Sequence, residues 1–201
     1  MLQQENSAGR IIFLNGAPCS GKTTIARALQ ATLDEPYLHL SADHIIGMLP
    51  QAYRNVRNPA NYRALYKAIS GMHHCVAALA AAGNNVIVDT VLANTDNLAE
   101  SVFILAHFRV TFVGVFCPLE ELERRERERD TRYAGMARSQ VARVHAHQIY
   151  DLEVDTSLES AETIAAKIKA YNQRVLWPQA FRRIRNEMII ISPGTEATTV
   201  Q

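Results

Sequence analysis

The sequence predicts an α/β domain in which a parallel sheet is covered by helices on both faces. Three observations predict it. Short, β-branched apolar runs alternate along the chain with segments of helical period. The runs are apolar almost throughout, as strands buried on both sides must be. The first run also passes into a helix through a turn of small residues and glycines, FLNGAPCSGKTTIARAL, residues 13–29.

Each element follows from its residues. IIFLN (11–15) reads as a buried strand, and TTIARALQATL (23–33) has apolar residues at helical spacing. YLHLS (37–41) is a second strand after the Asp34-Glu35-Pro36 turn, and ADHIIGML opens a short helix that stops before Pro50. Residues 51–58 are irregular and polar. A long helical pattern covers 61–83 and ends at Gly83. NVIVDTVL (85–92) is a third strand, 95–108 a helix capped by Thr95, and VTFVGVFC (110–117) a fourth strand closed by Pro118. A charged helix fills the 120s, and a further helix is expected near 137–149. DLEVDTS is a fifth, weak strand. Thr156 and Glu159 form a T-x-x-E capping box for the helix of residues 160–176.

Composition bounds the function. With 201 residues the chain fits one domain. Lys plus Arg is 21 against 20 for Asp plus Glu, so no global field draws it to nucleic acid or to a membrane surface. The longest apolar runs fall far short of a membrane span. Residues 1–10 lack the basic-then-apolar order of a signal peptide. Cys19, Cys75 and Cys117 form no CxxC pair and read as reduced thiols, consistent with a cytoplasmic protein. His73 and His74, adjacent on a helix, and His145 and His147, on different helix faces, do not make a metal site.

Gly16-x-x-x-x-Gly21-Lys22-Thr23 fits the phosphate-binding loop. Glycines let backbone N–H groups turn inward around phosphate oxygens without a Cβ in the way. The helix that follows points its positive end at the same anion. Gly16, Ala17, Pro18, Cys19, Ser20, Gly21, Lys22, Thr23 and Thr24 are therefore the candidate nucleotide-binding residues. Lys22 supplies a point charge toward the β- and γ-phosphates, and the Thr23 hydroxyl suits Mg²⁺. Cys19 is a small loop residue whose thiol a helix N-terminus would acidify.

Asp43 lies just past the second strand and Asp89 ends the run VIVD. Ligands of such sheets sit at the carboxyl ends of the strands, so both aspartates face the loop. One can orient or deprotonate an attacking hydroxyl while the other holds the metal. Asp43 also suits a helix N-cap, and Asp89 a strand-end turn. Asp151 and Asp155 read as structural. In LERRERERDTRYAGMAR (122–138), Arg125 and Arg129 share a helix face and Arg132 follows. Mobile arginines neutralise the charge that phosphoryl transfer builds on oxygen, and Gly135 suits a hinged lid. Glu121 with Arg125 also reads as a solvated pair at i,i+4.

Taken together, the segments IIFLNGAPCSGKTTIARALQ, EPYLHLSADHIIGMLP, VAALAAAGNNVIVD, FVGVFC, RERERDTRYAGMARSQ and VHAHQIYDLEVDTSLES resemble the chloramphenicol phosphotransferase family of small P-loop kinases, over roughly residues 11–170. The resemblance implies a nucleoside-triphosphate hydrolase fold with a five-stranded parallel sheet of order 2-3-1-4-5. It implies transfer of a phosphoryl group from ATP·Mg²⁺ to the hydroxyl of a small molecule. By it, Asp43 is the catalytic base and Arg129 and Arg132 are the lid arginines, beside Lys22 acting on the phosphates and Thr23 and Asp89 holding the metal as read from the loop and the strand end. Two departures stand out. The family's segment between the short and the long helix is longer and glycine-rich, whereas here it is QAYRNVRNPA, with Tyr53, Arg54, Arg57, Asn61 and Tyr62 in its place. The family's second acidic position reads Asp-Thr, leaving Asp89 as the sole carboxylate there.

The expected organisation is a kinase domain over 1–178, with a lid at about 125–138 and an acceptor region at about 43–75, and a C-terminal extension over 179–201. FRRIRNEMIII in that extension is amphipathic and basic, and suits docking on the body or on a second subunit of a homo-oligomer. The same residues also suit two other functions. One is a kinase with a nucleotide or nucleotide-sugar acceptor, like the zeta-toxin kinases, with Arg54 and Arg57 on its phosphates. The other is a binding module gated by ATP, which needs neither base nor lid.

Overall fold

A computed structural model describes residues 8–128 and 135–191. Five strands, β1 (Arg10–Asn15), β2 (Tyr37–Ser41), β3 (Asn85–Thr90), β4 (Arg109–Phe116) and β5 (Leu152–Asp155), form one parallel sheet of order β2-β3-β1-β4-β5. Eight helices flank it among the described residues: α1 (Lys22–Thr32), α2 (Ala42–Gly47), α3 (Tyr62–Ala81), α4 (Thr95–Leu105), α5 (Leu119–Glu128), α6 (Met136–Val144), α7 (Ala161–Arg174) and α8 (Ala180–Ile191).

Strand periodicity divides the core between the two faces. Ile11, Phe13, Val86, Val88 and Phe112 point to one side, where Met72 and Val76 of α3, Val102 and Leu105 of α4, and Phe181 and Ile184 of α8 meet them. Ile12, Leu14, Ile87, Val113 and Val115 point to the other, against Ile25 and Leu29 of α1 and Ile164 and Ile168 of α7. The helix of the C-terminal extension thus packs on the body, its Phe181 ring 4.8 Å from that of Phe112 and 5.3 Å from that of Phe13. Asp151 fixes its start: one carboxylate oxygen accepts from the N–H groups of Gln179 and Ala180, the other from that of Phe112.

Local sequence signals failed at four places, each for a physical reason. The helix expected near 137–149 stops at Val144, and Gln148 takes a left-handed φ of 51°. The rings of 145–150 leave the helical path to pack on β4: His145 stacks on Phe116 at 3.9 Å, and His147 and Tyr150 cover Phe112. The Thr156/Glu159 capping box does not form; Ser160 caps α7, accepting from Thr163 N–H, because Thr156 is engaged elsewhere. Asn94, not Thr95, caps α4. Ser41, not Asp43, caps α2, accepting from His44 N–H, which leaves the Asp43 carboxylate out of the cap.

Candidate active site

The loop between β1 and α1 stands at the carboxyl edge of the sheet. It is a tight nest rather than an open turn. A Cβ at Gly16 would meet the Val115 carbonyl oxygen at 2.5 Å and Ser20 Oγ at 2.7 Å, so only glycine fits against the neighbouring strand. Gly21 at φ 89° and Cys19 at φ 63° turn the backbone through left-handed conformations into α1, which starts at Lys22. Cys19 holds this conformation without being glycine, and Ser20 N–H closes the turn on the Ala17 carbonyl at 3.2 Å. Ala17 and Ser20 are buried and Pro18 is half-buried, so the loop backbone is held by its surroundings. Ser20 Oγ is buried with no hydrogen-bond partner among the described residues.

Lys22 is itself largely buried and donates to the carbonyls of Gly16 and Ala17, each at 2.9 Å. Its ammonium lies over the nest. The Thr23 hydroxyl donates to Asp89 Oδ2 at 2.6 Å. Thr24, next in line, is exposed on the first turn of α1. Asp89 is nearly fully buried at the end of β3. Burial pushes its carboxyl up, but the nearby His39 ring, the Lys22 charge and the Thr23 hydroxyl outweigh it and hold the group below its ordinary value. It is thus a carboxylate at neutral pH. His39 Nε2 stands 3.7 Å from the same oxygen, and its ring meets that of His44 edge-on.

Asp43 occupies the first turn of α2 and is exposed. Its position follows from the register: Ser41 lies beside Asp89, and Asp89 beside Leu14. The chain leading to Asp43 therefore runs two strand spacings, about 10 Å, from the strand that feeds the phosphate loop. Asp43, Asp89 and the loop share one edge of the sheet. Arg129 and Arg132 lie outside the described residues. Arg125 does not hang free as a lid arginine would. It pairs with Glu121 at 2.7 Å and donates to the hydroxyl and the carbonyl of Thr156, each at 2.9 Å, backing the phosphate loop from the β5 side.

Two residues that motif reading passes over hold the site together. Asn15, fully buried at the last position of β1, uses its whole amide. Its Nδ2 donates to Val144 O and to the Tyr150 hydroxyl, each at 2.9 Å, and its Oδ1 accepts from Leu92 N–H at 2.8 Å. One side chain thereby fixes the phosphate loop, the loop after β3 and the end of α6. A polar residue closing an apolar strand run is the signal that points to it. Glu126, also buried, accepts from the N–H groups of Gly135, Met136 and Ala137 at 2.7, 3.0 and 3.2 Å, setting an anion on the start of α6 and tying it to α5. Near the same wall, His145 is held at about 4 by burial and by the neighbouring His147 and Lys22, and His147 at about 4 chiefly by burial, so both rings are neutral.

A model of the family described as chloramphenicol phosphotransferase-like protein matches residues 9–173. A Mycobacterium tuberculosis (strain H37Rv) protein, named as a candidate O-phosphotransferase, is 28% identical over 202 residues, covering 90% of each chain. In fold, the chain is similar to the Mycobacterium tuberculosis APS kinase solved with AMPPNP and APS (TM-score 0.65, 19% identity, 83% of this chain and 98% of that one). It is also similar to the Acinetobacter baumannii shikimate kinase solved with shikimate (TM-score 0.57, 18% identity, 81% and 92%).

Proposed function

The chain belongs to the chloramphenicol phosphotransferase-like family, and from that premise we propose that it is a kinase that moves the γ-phosphoryl group of ATP to a hydroxyl of a small molecule. One observation carries this: a phosphate nest with its lysine, the Thr23–Asp89 pair and an exposed Asp43 lie along one edge of the sheet.

Lys22 and the loop N–H groups hold the phosphates, Lys22 exchanging its Gly16 and Ala17 carbonyls for phosphate oxygens. Thr23 Oγ1 and Asp89 Oδ2 would hold Mg²⁺. The donor set fits: a hydroxyl and a carboxylate kept anionic are hard oxygens. When bound, the metal supplies neutralisation of phosphate charge. Asp43 accepts the proton of the acceptor hydroxyl as its oxygen bonds to the γ-phosphorus. The bond from that phosphorus to the β–γ bridging oxygen breaks, and ADP leaves with the electron pair. Arg129 and Arg132 are assigned to the transferring group on the strength of the family's motif.

The test is incubation of the protein with γ-labelled ATP, Mg²⁺ and a panel of hydroxyl compounds that includes chloramphenicol. Label appearing in an organic phosphoester supports the proposal. Tight ATP binding with no transfer to any hydroxyl would favour an ATP-gated binding module instead.

A further inference from the structure

Charge is not spread evenly along this chain. Between Glu35 and Asp89 there is a single acidic residue, Asp43, against four permanent cations, Arg54, Arg57, Arg63 and Lys67, although the whole chain is nearly balanced. The structure gives that run a place. It forms an arch from the end of β2 to the start of α3, over the carboxyl edge of the sheet. One foot is Ser41, in register beside Asp89. The other is Tyr62, whose hydroxyl accepts from Asn94 Nδ2 at 3.0 Å on the loop after β3. Buried Asn61 fastens the span, donating to the carbonyls of Ala52 and Asn55 at 3.0 and 3.2 Å. Arg54 is laid along it, its Nε donating to Leu49 O at 2.6 Å, and Arg57 N–H is turned by Asn55 Oδ1 at 3.0 Å.

Arg63 and Lys67, exposed on the first turns of α3, make no ion pair among the described residues. Cations gathered along one edge raise the local concentration of the opposite charge, and guanidinium groups match phosphate and carboxylate oxygens in pairs.

We infer that the acceptor is an anionic alcohol, one whose phosphate or carboxylate group rests on the arch cations, Arg54 and Arg57 foremost, while its hydroxyl is presented to Asp43. This rests on the kinase proposal for the site and adds the charge class of its substrate. Neutral alcohols, chloramphenicol among them, are then poor acceptors.

The experiment fills the phosphate loop of the full chain with AMPPNP and Mg²⁺ and follows a second binding event by calorimetry. Two matched pairs are titrated: ribose 5-phosphate with ribose, and gluconate with sorbitol. Each anion is expected to bind at least about tenfold more tightly than its neutral partner, an advantage that shrinks with added salt. Whichever pair shows the larger gap names the anion, phosphate or carboxylate. The advantage is lost in the Arg54→Gln/Arg57→Gln double variant and largely kept in Arg54→Lys/Arg57→Lys, with circular dichroism and melting showing that both fold. Equal binding of charged and neutral members, no binding of either, or an unaltered preference in the Gln variant overturns the inference. Failure of AMPPNP itself to bind strikes the kinase proposal instead, and the same titrations without nucleotide still decide the charge of the ligand.

Discussion

Thr23 Oγ1 donates a 2.6 Å hydrogen bond to Asp89 Oδ2, joining the first turn of α1 to the end of β3 across 66 positions of chain. This bond sets a hydroxyl and a carboxylate oxygen side by side and couples the first turn of α1 to β3, the strand paired with β2 from whose end the arch springs. Asp89→Asn keeps the shape and removes the charge. Affinity for ATP measured with Mg²⁺ should fall about tenfold or more, while affinity measured in EDTA changes little. Titration of a fluorescent ATP analogue under the two conditions checks it; equal losses in both would remove Asp89 from the metal site.

Lys22→Ala deletes the cation over the nest. Hydrogen bonds to charged groups are worth about 1.5–3 kcal/mol, so nucleotide binding should weaken by roughly 10- to 150-fold and turnover should fall further. Intact phosphotransfer in this variant would refute the role given to the loop.

Asp43→Asn should lower kcat by about 10²–10⁴-fold, the usual contribution of a general base, with nucleotide affinity near that of the parent. Steady-state kinetics on any acceptor that accepts label checks it, and a fully active variant would exclude Asp43 as the base.

Asn15→Ala leaves the buried Leu92 N–H without its acceptor and takes one of two donors from the Val144 carbonyl, which keeps the Tyr150 hydroxyl. The expected cost is about 2–3 kcal/mol, seen as a fall of roughly 4–12 °C in Tm. A melting temperature within a degree of the parent's would show that water or a shifted backbone replaces the amide.

His145 and His147 titrate at about 4 in the folded chain, against an ordinary value of 6.5. Their folded values are depressed, so the unfolded chain binds more protons between those limits, and stability is full above about pH 6.5 and declines as pH falls toward 4. Urea midpoints at neutral pH and near pH 4.5 should separate accordingly. The gap should narrow in His145→Gln/His147→Gln, and an unchanged gap would assign the acid sensitivity to the carboxylates.

The alternation of β-branched runs with helical segments, and the spacing of Gly16, Gly21, Lys22 and Thr23, determine a sheet-and-helix domain with a phosphate nest, because these features depend on residues close in sequence. Family resemblance carried the strand order, and the sheet has it. Long-range pairings were not legible. Thr156 leaves its capping box because Arg125 reaches it, and His145 leaves its helix because Phe116 offers a ring. Asn15 becomes a hub because three loops end around it. Whether a short polar side chain caps its own helix or serves a distant strand is settled by small differences in hydrogen-bond energy, and only tertiary packing brings the competing partners within reach.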